Sequence, residues 1–419
     1  MIPTIGLEVH VQLATHTKIF CGCVVEFGAP PNKNVCPVCL GLPGALPVLN
    51  REVFSLGLRA VLALGGEVSS VVKFDRKNYF YPDLPKGYQI SQFAHPLGVG
   101  GSVEIDAGGK TKAVRLNRLH LEEDAGKLLH DQLPDSSVVD LNRAGTPLAE
   151  IVTEPDLDSA EEAYQYLTLL KAILRSSGVS ECDMEKGQLR CDANISVRKN
   201  PSDPLGKRVE VKNLNSFKAV RLAILHEITR QSAALENGEK LVQETRLWDD
   251  ERQKTFTMRS KEDAHDFRYF PEPDLVPFFV KKEDVEKVRA SLPEMPQVKK
   301  DRLMKEYKLS EYEARLDQAI DQAGPDQHGQ DHPHSGLHGR AVVEMASCHG
   351  PAGRGIGPHA HARGNRPGAG AAQEKAADHQ EGHSHLQFDA ANRSVGVRLV
   401  VGRNGDGRAA QEPRRRDDR

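Results

Sequence analysis

At 419 residues the chain is long enough for two or three domains, and its 38% hydrophobic and 27% charged content is that of a globular protein. No apolar run approaches the roughly 20 residues that a membrane-spanning helix needs, so a membrane role is excluded at this level. A formal net charge of −3 gives no general argument for nucleic acid, and any RNA contact must be local.

In chain order, the opening run places Ile5, Leu7, Val9, Val11 and Leu13 in alternation with Gly6, Glu8, His10 and Gln12. A period of two predicts a strand with one apolar face and a second face presenting a carboxylate beside an imidazole. Adjacent Glu8 and His10 on a buried face need compensation, and a bound cation supplies it. Met1 runs directly into this strand without a secretory pattern, so a reducing, cytoplasmic setting is expected.

Four cysteines follow in two tight pairs, Cys21-x-Cys23 and Cys36-x-x-Cys39. Two such pairs on neighbouring loops converge readily on one tetrahedral ion, which predicts a structural zinc knuckle rather than disulfides. With all four donors thiolate, no coordination position is left for catalysis.

Asn50 and the Gly65-Gly66 pair bracket a helix over 51–64. Residues 73–92 combine Tyr79, Phe80 and Tyr81 with Pro, Gly and basic residues, the pattern of a functional loop held by rigid anchors or of an aromatic core corner. Lys86 beside Gly87 is suited to a phosphate. A helix over 158–178, started by Asp158 and Glu161, buries Tyr166, Leu167, Leu170, Ile173 and Leu174. Strands are predicted at 189–198, with Arg190, Asp192 and Asn194 on a polar face, and at 208–216, with Glu210 and Lys212 opposite Val209 and Val211. A second long helix runs from Ser216 to about Gly238, and charged helical segments begin after residue 282.

Beyond Leu316 the composition changes. The preceding part holds 24 Lys and 19 Arg; the remainder holds 12 Arg, one Lys (Lys375), one aromatic (Phe388) and ten of the 17 histidines. No helical or strand period runs through it, which predicts a low-complexity segment without a packed core and few contacts to the rest. The composition fits a slipped reading frame near residue 317 better than an evolved His-rich metal tail.

Glu8 and His10, His120 with Glu122-Glu123-Asp124, Glu150 and Asp192 together form an oxygen-rich, imidazole-containing set of the kind that holds magnesium for nucleotide chemistry. Lys86, Lys127, Arg143, Arg190, Arg198 and Lys212 are cations suited to phosphate oxygens. Neither a GxxxxGK[ST] nor a GxGxxG sequence occurs, and no Ser or Cys sits in a nucleophile-elbow context.

The runs IGLEVHVQL, CPVCLGLPGALPVLN, KNYFYPDLPKGYQISQ, HLEEDAGK, LNRAGTPLAEIVTEPD, GQLRCDANISVR and EVKNLNSF closely resemble the family of B subunits of the aspartyl/glutamyl-tRNA amidotransferases, from about residue 2 to residue 316. The resemblance implies an α+β architecture: a cradle-shaped, glutamine synthetase-like catalytic domain on an antiparallel sheet over residues 1–280, then the start of a helical domain at 281–316. It implies ATP- and Mg2+-dependent phosphorylation of the side-chain carboxylate of misacylated Glu-tRNA(Gln) or Asp-tRNA(Asn). Its implied partners are the A-type glutaminase, which supplies the ammonia, and the smaller C-type protein, which wraps both larger components. By resemblance Glu8, His10, Glu123, Glu150 and Asp192 fall to the metal and nucleotide site, with Glu122 as their neighbour, Lys86 and Arg190 as phosphate contacts, and the cysteines as a zinc knuckle. The pattern stops at Leu316, so residues 317–419 stand where the family has the rest of the helical domain and a tRNA-gripping tail. The competing class is a non-catalytic, zinc-stapled RNA-binding scaffold, which calls for basic, aromatic-interleaved surfaces.

Overall fold

In the computed structural model the described residues are 1–133, 136–260, 267–310 and 400–402. They belong to one compact unit; a second unit, Ala323–Ser394, lies outside them, as do nearly all residues covered by the expectations for 317–419.

The first strand, β1 (Ile2–Gln12), leads through the cysteine loops to helix α1 (Arg51–Ala63). Short strands follow: β2 (Glu67–Val68), β3 (Val71–Val72), β4 (Asp75–Asn78), β5 (Tyr88–Ser91), β6 (Gly98–Val99) and β7 (Ser102–Asp106). Then come the long β8 (Thr111–Glu123), β9 (Lys127–Leu133), β10 (Ser136–Asp140) and β11 (Pro147–Thr153). Helix α2 (Ala160–Ser176), strands β12 (Leu189–Arg198) and β13 (Val209–Leu214), and helix α3 (Phe217–Glu236) form the next block. The chain continues through β14 (Glu244–Asp249), β15 (Lys254–Ser260), β16 (Arg268–Pro271) and β17 (Phe278–Phe279) to helices α4 (Lys282–Ala290) and α5 (Pro296–Tyr307). Val400–Gly402 forms β18, paired antiparallel with β10, so these three residues of the C-terminal stretch do join the sheet structure.

The main sheet has ten strands, in the order β15-β14-β13-β12-β1-β11-β8-β6-β2, with β7 also on β8. It is mixed, not purely antiparallel as expected: β13 and β14 run parallel, because α3 intervenes as the crossover that a parallel pair requires. β1 lies near the middle, flanked by β11 and β12, both antiparallel to it. Its odd-numbered residues Ile5, Leu7, Val9 and Val11 are buried with Cys191, Ala193 and Ile195 of β12 in the main core. Helices α1, α2 and α3 supply the other side of that core through Val53, Leu58, Tyr166, Leu167, Leu170, Leu174, Val220 and Ile224. With the helices on the apolar face, the opposite face of β1, β8, β11, β12 and β13 carries the polar side chains.

Local chemistry explains the helix starts. Asn50 accepts from the Glu52 amide at 2.9 Å, and Ser216 accepts from the Ala219 amide at 3.0 Å. For α2 the cap is Ser159, accepting from Glu162 at 3.1 Å, rather than the expected Asp158; Asp158 lies one residue outside, where its carboxylate meets Lys112. Among the described residues no helix is long and apolar enough to cross a membrane.

Candidate active site and cysteine cluster

The strand register assembles the polar face. Glu8 pairs with Asp192 of β12, and His10 pairs with Glu150 of β11 on one side and Arg190 of β12 on the other. Glu150 in turn pairs with His120 of β8. Because side chains alternate, these partners project to one side together.

Two clusters result. In the first, His10 Nε2 lies 3.4 Å from Glu122 Oε1 and 3.5 Å from Glu150 Oε2, while His120 Nε2 lies 2.9 Å from Glu150 Oε2. Burial works against the protonated rings, but the hydrogen bonds and charges of Glu150 and Glu122 outweigh it and raise both histidines, His120 to about 9. Burial works against the carboxylates as well, yet the two imidazoles hold Glu122 below its ordinary value and Glu150 well below. Ser91 Oγ on β5 donates to Glu122 at 3.1 Å, so the β4–β5 hairpin borders this cluster.

The second cluster gathers Glu8, Asp192 and Glu210, whose carboxylates lie within 4.8 Å of one another. Lys212 Nζ bridges Asp192 at 2.5 Å and Glu210 at 3.0 Å, and Asn194 Nδ2 donates to Glu8 at 2.8 Å. Burial, with the charge of Glu150, pushes the Glu8 carboxyl up; burial opposes the Lys212 ammonium, but Asp192 and Glu210 keep it above its usual range. Glu8 also borders a cavity of about 210 Å3 lined by Thr4, Gly6, Asn194, Ser196 and Arg208.

Glu8, His10, Glu150 and Asp192 are therefore brought to one face. Glu123 is not: it turns away from both clusters, pairs with Lys86 and accepts from the Ile90 amide at 2.8 Å. Of the two glutamates expected at the site, Glu122 is the one beside His10, since a one-residue step along a strand reverses the face. Burial lifts the Glu123 carboxyl despite Lys86. Arg190 donates to Asp124 at 2.9 Å, beside Arg143, which binds the carbonyls of Ala125 and Gly126. Arg198 serves the Asp203 carbonyl, and Lys127 lies on β9, outside the main sheet. Glu210 was legible as a polar-face residue, but its place beside Glu8 and Asp192 depends on the pairing of β13 with β12, where Glu210 stands opposite Asn194. Of the aromatic loop, Phe80 and Tyr81 are exposed, whereas Tyr79 packs edge-on against Phe267 at 5.4 Å.

The cysteines converge as their spacing predicts. The Sγ atoms of Cys21, Cys23, Cys36 and Cys39 all lie within 4.8 Å of one another, and that of Cys39 is 3.9 Å from that of Cys36. Four sulfurs at Zn–S distances of about 2.3 Å in a tetrahedron stand roughly 3.8 Å apart, so the donor set fits such an ion. The Cys36 amide approaches Cys39 Sγ at 3.1 Å, and the hydrogen bond with Cys21, aided by Lys18, lowers Cys39 to about 5. Burial and the charge of Cys39 push Cys23 up to about 12. Lys18, absent from the expected site, is fully buried against this cluster. Gly41, with φ of 66°, lets the knuckle loop close over Lys86, where a Cβ would collide with that side chain.

A mixed sheet that covers one face with helices and gathers carboxylates, imidazoles and cations on the other is a framework for charged-ligand chemistry, and comparison with known proteins makes the class specific. Residues 3–286 match the GatB/GatE catalytic domain, and the chain belongs to that family. It is 57% identical over 314 residues to the B subunit of the aspartyl/glutamyl-tRNA(Asn/Gln) amidotransferase of Persephonella marina, covering 75% of this chain and 66% of that protein. The protein of the same description from Thermoanaerobacter sp. is 57% identical over 312 residues, and that from Carboxydothermus hydrogenoformans 54% over 315. Each of these two alignments covers 74% of this chain and 66% of the relative, so the chain spans just under two-thirds of these relatives.

Proposed function

We propose that the chain acts as the B subunit of a glutamine-dependent aminoacyl-tRNA amidotransferase, an ATP-consuming carbon–nitrogen ligase of the cytoplasm. The observation that carries this reading is the pair of donor clusters side by side on one sheet face, His10-Glu122-Glu150 and Glu8-Asp192-Glu210. The hard carboxylate oxygens of both clusters suit Mg2+. When bound, the cation would neutralise charge developing on the transferring phosphoryl oxygens.

The chemistry balances in two steps. A side-chain carboxylate oxygen of Glu-tRNA(Gln) or Asp-tRNA(Asn) takes the terminal phosphoryl group of ATP, releasing ADP. Ammonia then attacks the acyl carbon and phosphate departs with the proton that nitrogen loses, leaving the amide. Arg190 and Lys212 stand on the polar face, where their carboxylate partners hold them in place for phosphate oxygens, and Lys86, held by Glu123 off that face, is the further cation assigned to phosphate. Ammonia would come from the A-type glutaminase partner, with the C-type protein as the third component of the complex. The cysteines would hold a structural Zn2+ remote from the bond changes.

The RNA-binding scaffold is the weaker reading. The charge of the polar face is dominated by Glu8, Glu122, Glu150, Asp192 and Glu210, which repel RNA phosphates unless cations intervene. A complex reconstituted with the glutaminase and the C-type partner, given ammonium in place of glutamine, tests the proposal. Amide formation on charged tRNA with one ADP released per amide, dependent on Mg2+, is expected. RNA binding without any ATP-dependent amide would favour the scaffold.

A further inference from the structure

Lys18 has no exposed surface, yet it carries an ammonium into the protein three residues ahead of Cys21. A buried ammonium needs acceptors, and preferably negative charge. Its Nζ donates to the Asn34 carbonyl at 2.8 Å and approaches the Leu141 carbonyl at 3.5 Å, both neutral. Its third acceptor is Cys39 Sγ, at 3.6 Å. Four thiolates around one dication leave two negative charges in excess, in a partly buried site.

We infer that Lys18 is the charge-balancing and positioning partner of the metal held by the four cysteines, and that it clamps the knuckle to the turn between β10 and β11. This rests on the cysteines holding a metal, one part of the proposed function, and is independent of the amidation chemistry. The turn is built for the contact. Gly145 takes the left-handed φ of 83° that lets the turn run alongside Lys18 Cδ and Cys39 Cβ, which lie 3.4 and 3.6 Å from where its own Cβ would stand, in van der Waals contact. The Ile19 amide donates to the Gly145 carbonyl at 3.0 Å, and the Gly145 amide donates to the Asp124 carbonyl at 2.9 Å. Asp124 holds Arg190 on the polar face. Lys18 thereby joins the knuckle to the strand end that places an active-site cation.

The test compares the full chain with its Lys18→Met and Lys18→Gln variants by competition for zinc against a chromogenic chelator, and by thermal unfolding with and without that chelator. Partners that orient metal ligands typically contribute about 10- to 100-fold in affinity, and a loss of that size is expected in both variants. The stability gained on zinc loading should shrink in parallel. Zinc affinity within twofold of wild type, or an equal stability loss in loaded and chelated protein, overturns the inference and leaves Lys18 as a core residue. If neither variant folds, wild-type protein decides: acetylation of Lys18, read by mass spectrometry, should be blocked in the zinc-loaded protein and proceed after chelation. Equal labelling in both states overturns the inference. Wild type that takes up no zinc overturns both the inference and the zinc assignment, whereas zinc uptake unaffected by Lys18 overturns the inference alone.

Discussion

His10 and Glu150 face each other in register across β1 and β11, with Nε2 and Oε2 3.5 Å apart. The same nitrogen is 3.4 Å from Glu122, so one ring spans carboxylates from two further strands. Without a cation, protons on His10 and His120 keep those carboxylates together, which is why both histidines are raised and both carboxylates lowered. A divalent cation would replace that positive charge.

Cation binding should therefore release protons at neutral pH and strengthen as pH rises, because His10 titrates above 6.5 and must lose its proton to ligate. Calorimetry in buffers of different ionisation enthalpy measures the release. Metal-free stability should run the other way. A histidine raised from 6.5 to about 9 contributes stability that is complete below pH 6.5 and lost as pH rises through about 9. The difference in unfolding temperature between wild type and His120→Asn, in chelator, should shrink over that window. A difference that grows with pH would contradict the assignment.

Glu123 should prove to be a structural partner of Lys86. Glu123→Ala leaves a largely buried ammonium, 10% exposed, without its carboxylate and is expected to cost about 3 kcal/mol in denaturant unfolding. Adding Lys86→Met should recover most of that loss. Loss of cation binding by Glu123→Ala at unchanged stability would place Glu123 at the metal instead.

Cys36→Ser is expected to lose zinc and to unlock the knuckle, since structural zinc contributes on the order of 10 kcal/mol to its local fold. Metal analysis and limited proteolysis of residues 20–48 are the checks. Full zinc content with normal protease resistance would sink the assignment.

Ser159→Ala should destabilise the protein by about 1 kcal/mol through loss of the α2 cap. Asp158→Ala should cost less, because that carboxylate is 63% exposed and its ion pair with Lys112 is screened.

Much of this architecture is written in local pattern. The period of two in β1 and β12 separates their faces, and the cysteine spacing names the four residues whose sulfurs converge. Asn50 and Ser216 mark helix starts by their own hydrogen bonding. What stays hidden depends on pairing between distant strands. Nothing local says that β8 directs Glu122, not Glu123, toward His10, or that β13 pairs with β12 so that Glu210 stands beside Asp192 and Glu8. The parallel β13–β14 pair follows from where α3 delivers the chain. Nothing in the residues around Lys18 announces its burial, which comes from Cys39 and Leu141, remote in sequence.

The central claim, that the polar sheet face activates a carboxylate with ATP, meets its most direct test in Asp192→Asn. The substitution keeps the side chain's shape while removing one charge from the Glu8-Asp192-Glu210 cluster. In a complex reconstituted with the glutaminase and the C-type partner, single-turnover amidation of Glu-tRNA(Gln) or Asp-tRNA(Asn) is followed alongside glutamine hydrolysis. The account predicts that ADP release and amide formation fall by about 10²-fold or more while glutaminase activity stays measurable. Amidation within a few-fold of wild type would contradict it.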